Sequence, residues 1–204
     1  MTLVTGMQPP TRRSVLKHFG GALAALISLR PTVAKAVDDI LVPAAVLARL
    51  LMKVVLYQRN TPARPAGTFR TLLLARKGDV DSRQAAQQLA RALGAMSKIA
   101  LLPHQEFVED YTTPATFAKF CKDHNIGMVY LSSNLGDHIA AIVGELKGSH
   151  ILTVTAVSKY LFKGVAIGMD LVSGQTQLLV NHNALKAQDV DINPGLLGIM
   201  KVVK

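Results

Sequence analysis

Four short apolar runs, separated by three segments of helical pattern, limit what this chain can fold into. The runs cover residues 69–75, 98–102, 127–131 and 151–155. Between them, 83–96 places Ala86, Leu89, Leu93 and Met96 on one face, with Asp81 and Ser82 as its cap. Residues 114–124 begin with Pro114 behind a Thr113 cap, and 137–146 follow a turn at 132–136. Apolar residues three and four apart make a helix with one buried stripe, whereas the unbroken Met128-Val129-Tyr130-Leu131 suits a strand covered on both faces. Strands joined through helices run parallel, because a tight turn cannot return the chain in the same direction. The expected fold is therefore α/β, a mostly parallel sheet with helices on both faces. The pattern changes after 155. Two strands, 164–171 and 176–180, are separated only by Val172-Ser173-Gly174-Gln175, a hairpin that adds an antiparallel edge. A last helix is expected at 195–203, with Asn193 as its cap and Pro194 in its first turn.

Ahead of the first strand, 40–57 reads as a helix, with Asp38 and Asp39 before it and Lys53 and Arg59 at its end. A membrane span is disfavoured, since Arg49 and Lys53 would sit in mid-bilayer. Residues 60–67 hold two prolines and a glycine and read as a loop. The helix has more apolar surface than one sheet face needs. Leu41, Val42, Val46, Leu50, Val54 and Tyr57 suggest a second stripe. That stripe either packs against Leu197 and Met200 or is left for another chain. In the second case Leu50 and Val54 touch a second copy of the chain or a different protein, with Arg49 and Lys53 at the rim.

The first 36 residues differ in kind. Arg12 and Arg13 precede an apolar stretch at 19–29, which is about half of the ~20 residues a spanning helix needs. Ala34-Lys35-Ala36 has the small-x-small pattern that a signal peptidase accepts. Paired arginines before a short apolar core resemble a twin-arginine signal. The expected organisation is a signal at 1–36, one domain at 37–204, and a periplasmic location. The net charge of +10 shrinks accordingly. Five of the 23 basic residues lie in 1–36, which has no acid, so the rest carries 18 against 13, or +5. No dense basic run survives there, which excludes a nucleic-acid footprint. One cysteine, Cys121, excludes an internal disulfide.

Chemistry-bearing motifs are sparse. Cys121 and His124 stand three apart on a helix, but no second ligand pair is near, and Cys121 reads as structural. His104, His138, His150 and His182 are scattered singly. There is no Gly-x-Ser-x-Gly elbow, and Ala75-Arg76-Lys77-Gly78-Asp79 has one glycine where a phosphate loop needs several. Asp79, Asp81, Glu106, Glu109 and Asp110 single out no acid–base pair. No catalytic, cofactor or metal residue is assigned, and the chain does not read as an enzyme. A small ligand at the carboxyl ends of the strands is the alternative, with Arg76, Ser132, Ser133, Asn134 and Thr155 as its candidates.

The C-terminal third carries a resemblance. Ile151-Leu152-Thr153-Val154-Thr155-Ala156-Val157 is followed by Phe162, Gly164 and Val165-Ala166-Ile167-Gly168-Met169. Then come Leu178-Leu179-Val180-Asn181, Ala184 and Leu196-Leu197. The early helix adds Val42, Ala44-Ala45, Leu47, Lys53 and Val55. This order resembles the YfiR/HmsC-like family of small periplasmic proteins. The resemblance implies an exported α/β domain acting by protein–protein contact. In the best-known member that contact restrains an inner-membrane diguanylate cyclase through its periplasmic part, and an outer-membrane lipoprotein sequesters the regulator. It also marks Gly164 and Asn181 as structural, the first for its backbone freedom and the second for bonding the turn after its strand. Two departures stand out. That member has paired cysteines, where this chain has Cys121 alone, and Tyr57-Gln58-Arg59-Asn60 replaces the usual aromatic, acid and proline.

Mass spectrometry of the exported protein should find a chain that starts at Val37. Replacing Arg12 and Arg13 with Lys should stop export, and unchanged export would point to the general secretion route instead.

Overall fold

A computed structural model describes residues 42–61, 67–99 and 101–203. The signal residues Arg12, Arg13, Ala34 and Ala36 lie outside them, as does Leu41. The described residues belong to one unit, Val37–Lys204. Helix α1 (Ala44–Leu56) is followed by β1 (Phe69–Arg76), α2 (Val80–Gly94), β2 (His104–Tyr111), α3 (Pro114–Asp123), β3 (Met128–Leu131), α4 (Ile139–Glu145) and β4 (Leu152–Thr155). A 3₁₀ turn (Ser158–Lys163) leads to β5 (Ile167–Val172), β6 (Gln175–Val180), α5 (His182–Ala187), α6 (Pro194–Leu197) and β7 (Lys201–Val202). The strands form one sheet in the order β2-β1-β3-β4-β5-β6-β7. From β2 to β5 all pairs are parallel; β6 turns antiparallel against β5. This is the α/β architecture expected, including the hairpin.

Side chains alternate along a strand, so β1, β2 and β3 feed two separate cores. On one face Phe69, Leu73, Tyr130, Val154 and Met169 pack with α1, α2, α5 and α6. On the other, Leu72, Leu74, Val129 and Leu131 pack with α3 and α4. All four residues of β3 and all four of β4 are buried. Each fully buried large apolar side chain contributes about 1.5–3 kcal/mol relative to exposure. The hairpin turn has Ser173 at φ 51° and Gly174 at φ 78°. Two central residues with positive φ match the right-handed twist of the paired strands.

Several boundaries differ from the sequence reading. The second strand is not 98–102, where Ile99 and Leu102 make only an isolated antiparallel bridge. It is His104–Tyr111, a polar stretch without a strand pattern, as an edge strand need not be apolar. The helix expected at 83–96 begins earlier, since Asp79 rather than Asp81 or Ser82 is its N-cap. The last helix stops at Leu197, short of the glycine at 198, and the β-branched end then pairs as β7 beside β6. Helix α5 was not expected; six residues are too few to show a period. Asn193 and Pro194 hold the cap and first-turn positions as read.

Gly164 ends the 3₁₀ turn with φ +100°, and a Cβ there would lie 3.2 Å from Val143 Cγ2. Gly168 has less room: a Cβ would lie 2.2 Å from Cδ1 of Leu161, which is itself fully buried. Gly164→Val should lower stability by more than about 1 kcal/mol through backbone strain. Gly168→Ala should cost about 1–3 kcal/mol through overpacking. Thermal melts of both variants check this, and an unchanged Tm in either removes its argument.

Candidate functional site

Strand order reverses direction between β1 and β3, because the chain leaves β1 toward β2 and later returns to β3 on the other side. Helix α2 leaves β1 on one face and α4 leaves β3 on the other. The loops part there, and such a switch point is where open α/β sheets hold ligands. Arg76 stands on the β1 side and Ser132, Ser133 and Asn134 on the β3 side, so the structure brings these sequence-chosen residues to one place. Thr155 ends β4, one strand farther along.

The polar groups at the crevice bond to one another. Arg76 donates from Nη1 to the Asn134 carbonyl at 2.8 Å. Asn134 donates from Nδ2 to Asp79 at 2.9 Å. The other carboxylate oxygen of Asp79 accepts from the Ser82 N–H at 2.8 Å, which caps α2. The Ser82 hydroxyl lies 2.8 Å from that of Ser132 and accepts from the Arg76 N–H. Ser132 donates onward to the Leu74 carbonyl at 2.7 Å. Ser82 and Ser132 are fully buried. Thr155 donates to Leu131 O at 2.9 Å and accepts from the Val157 N–H at 3.0 Å. Asp137 approaches Arg76 at 3.7 Å from an exposed position, an ion pair of little weight. Sequence reasoning missed Asp79 and Ser82 as members of this network. The signal was their spacing of three, an acid at the cap and a hydroxyl in the first turn.

Helix α1 presents the second candidate. Val54 has no exposed surface and lies in the core with Leu47, Ala48, Leu51 and Val55. A partner cannot reach it in the folded domain. Leu50 is partly buried against the same core. Arg49 and Lys53 are exposed, and Arg49 returns its Nε to the Ala45 carbonyl at 3.2 Å. What α1 offers outward is Arg49, Lys53 and, at its end, Leu56 and Tyr57. Tyr57-Gln58-Arg59-Asn60 is strapped down rather than free. Gln58 bridges Ile192, Arg59 pairs with Asp191 at 3.0 Å, and Asn60 donates to the Asp189 carbonyl at 2.7 Å.

The remaining candidates are structural in their surroundings. Burial pushes the Cys121 thiol up to about 12, so it stays protonated and poorly nucleophilic near neutrality. His124 does not meet it as a base; its ring packs 4.2 Å from that of Phe120 and 4.9 Å from that of Phe107. His104 lies between Glu106 and the Met96 carbonyl, each at 2.7 Å. His138 stacks against Tyr111, His150 meets Asp189, and His182 opens α5. Asn181 accepts from the Ala184 N–H as cap of α5 and donates to Leu161 O at 2.8 Å. Among the described residues no group of three or more His, Cys, Asp or Glu is placed to hold a metal, and no helix is long and apolar enough to cross a membrane.

A family model described as YfiR/HmsC-like matches residues 48–200. The chain belongs to the YfiR/HmsC-like family. Its members are regulators of cyclic-di-GMP signalling in the periplasm. No curated protein matches the sequence. Among solved structures, a conserved domain protein from Vibrio cholerae is similar at 11% identity and TM-score 0.55, covering 80% of this chain and 61% of that one. A domain from Streptococcus pneumonia in complex with L-Trp reaches 9% and 0.54, covering 79% and 62%. A substrate-binding protein with adhesive properties from Clostridium difficile reaches 13% and 0.53, covering 76% and 58%. The chain spans about three fifths of the length of each, and at these identities the likeness is one of fold.

Asp79→Ala removes a helix cap and the anchor of Asn134 together. It should cost about 1–2 kcal/mol in a denaturant titration. A variant of unchanged stability would show the network to be idle.

Proposed function

We propose that this chain is an exported periplasmic regulator without catalytic activity, acting by protein–protein contact. It restrains a membrane diguanylate cyclase by binding its periplasmic part. The observation that carries the reading is the family match over residues 48–200, most of the domain. The crevice supports it, since its hydroxyls, amide and carboxylate are spent on holding β1, α2 and β3 together. Arg49 and Lys53 are proposed as part of the contact surface, with the partly buried Leu50 beside them. Exposed cations at a rim steer an acidic partner and raise the association rate more than the affinity. A homodimer on the same face is the other occupant. Asn181 acts through stability alone, since both ends of its amide are bonded inside the domain.

A small-ligand domain is the second reading. It is favoured by the switch point and by two structural neighbours, one a domain in complex with L-Trp and the other a substrate-binding protein. Calorimetry with free amino acids tests it.

Deleting the gene in its host should raise cellular cyclic-di-GMP. Arg49→Glu with Lys53→Glu should reproduce part of that rise while the purified variant melts normally. Asn181→Ala should lower Tm yet still restrain the cyclase at temperatures where it is folded. Unchanged cyclic-di-GMP in the deletion strain overturns the reading.

A further inference from the structure

Strand β2 is the outer strand of the sheet and the longest edge it has. It runs for eight residues, against four each in β3 and β4, and pairs with β1 along its whole length. The direction of its backbone groups follows from the bonds around it. Phe69 N–H donates to Pro103 O at 2.8 Å, while Gly127 and Ser132 donate to Arg70 O and Leu74 O. Odd-numbered residues of β1 therefore face β2 and even-numbered ones face β3. In the parallel register the N–H and C=O of His104, Glu106, Val108 and Asp110 point away from the sheet. No other described strand pairs with them.

Natural edges are shortened, bulged, covered or charged to prevent stray pairing. This one is long and regular, and its charges do less than their number suggests. The strand has three acids and no Lys or Arg in a chain of net +10. Glu106 is taken up by His104, with both side chains largely buried, and Asp110 by Arg83 at 2.7 Å. Both lie on the α2 face. Glu109 lies on the opposite face, exposed and without an ion partner among the described residues. Beside it, β2 and α3 enclose an open cavity of about 50 Å³ lined by Leu72, Leu74, Tyr111, Phe117 and Phe120. That volume is far below the ~300 Å³ of a cofactor site and suits one side chain. Leucine and aromatic walls, with Thr112 and Thr116 among them and the Glu109 carboxylate at the rim, match a long aliphatic stem ending in a cation.

We propose that the free edge of β2 accepts an extended segment of a protein partner as an added strand, with a partner Arg or Lys in the cavity beside Glu109. Backbone bonds along the edge supply affinity and the cavity supplies selectivity. The proposal rests on the contact-regulator reading and names a surface for it that is separate from α1.

The test uses acetylated eight-residue peptides of alternating Val and Thr, carrying Arg, Ala or Glu at the fifth position, with nuclear magnetic resonance of the folded domain. The Arg peptide should slow hydrogen exchange at Glu106, Val108 and Asp110 and shift the Phe117 and Phe120 rings. It should bind about tenfold tighter than the Glu peptide, and Glu109→Lys should reverse that order. Val108→Pro deletes an outward N–H without touching the β1 ladder and should abolish binding; edge strands tolerate proline there. If that variant does not fold, the charge reversal at Glu109 decides alone. Equal binding of the three peptides, none at about 1 mM, or protection elsewhere overturns the proposal. So does a dimer that Val108→Pro turns into monomers, which would make the edge a seam between copies. In the host, a deletion that raises cyclic-di-GMP while Val108→Pro and Glu109→Lys do not removes this surface and leaves the regulator reading standing. A deletion without effect removes that reading instead.

Discussion

Burial of β3 and β4 on both faces is the constraint on which the rest of this molecule depends. A parallel strand at the centre of a sheet has no face for water, so helices must be supplied to both sides. Residues 69–155 meet that demand by sending α2 to one face and α3 and α4 to the other. The reversal of strand order between β1 and β3 follows from this division. So does the crevice where their loops separate. The position of the polar cluster is thus a by-product of covering the sheet.

What fills the crevice differs from what such a place can hold. Asp79, Ser82, Ser132 and Asn134 form a continuous chain of hydrogen bonds from the start of α2 to the end of β3. Buried hydroxyls without partners cost about 1–3 kcal/mol each, so a closed network of this kind favours rigidity. A similar bond set closes the other end of the sheet. Gln188, almost fully buried, accepts from the Thr153 N–H and donates to the Gly164 carbonyl, linking the end of α5 to β4 and the turn before β5. A domain tied at both ends suits recognition by a preformed surface, since rigid partners lose less freedom on binding.

That places weight on the surfaces left open. The face of α1 is mostly spent on the core, and its C-terminal continuation is tied to 189–193 through Arg59 and Asn60. The lone cysteine is spent too, buried on the inner face of α3 with a thiol that does not ionise near neutrality. Exposed cations, the end of α1 and the β2 edge are among the surfaces left open.

Much of this was legible in the sequence. The strand–helix alternation determined the fold class, and Asn193-Pro194 and Ser173-Gly174 determined a helix start and a hairpin turn by local backbone chemistry alone. The order of residues in the C-terminal third pointed to the family. Tertiary structure decided the rest. Strand β2 was hidden because an edge strand buries only part of its surface and need not be apolar, while 98–102 looked like a strand but lacks a neighbour in the sheet. Val54 and Leu50 look alike along the chain, but rotation about α1 buries one fully and the other in part. Arg76, Ser132 and Asn134 were chosen for their place at strand ends. That they would satisfy one another, with Asp79 and Ser82 between them, depends on distances between segments some 50 residues apart, which no local pattern encodes.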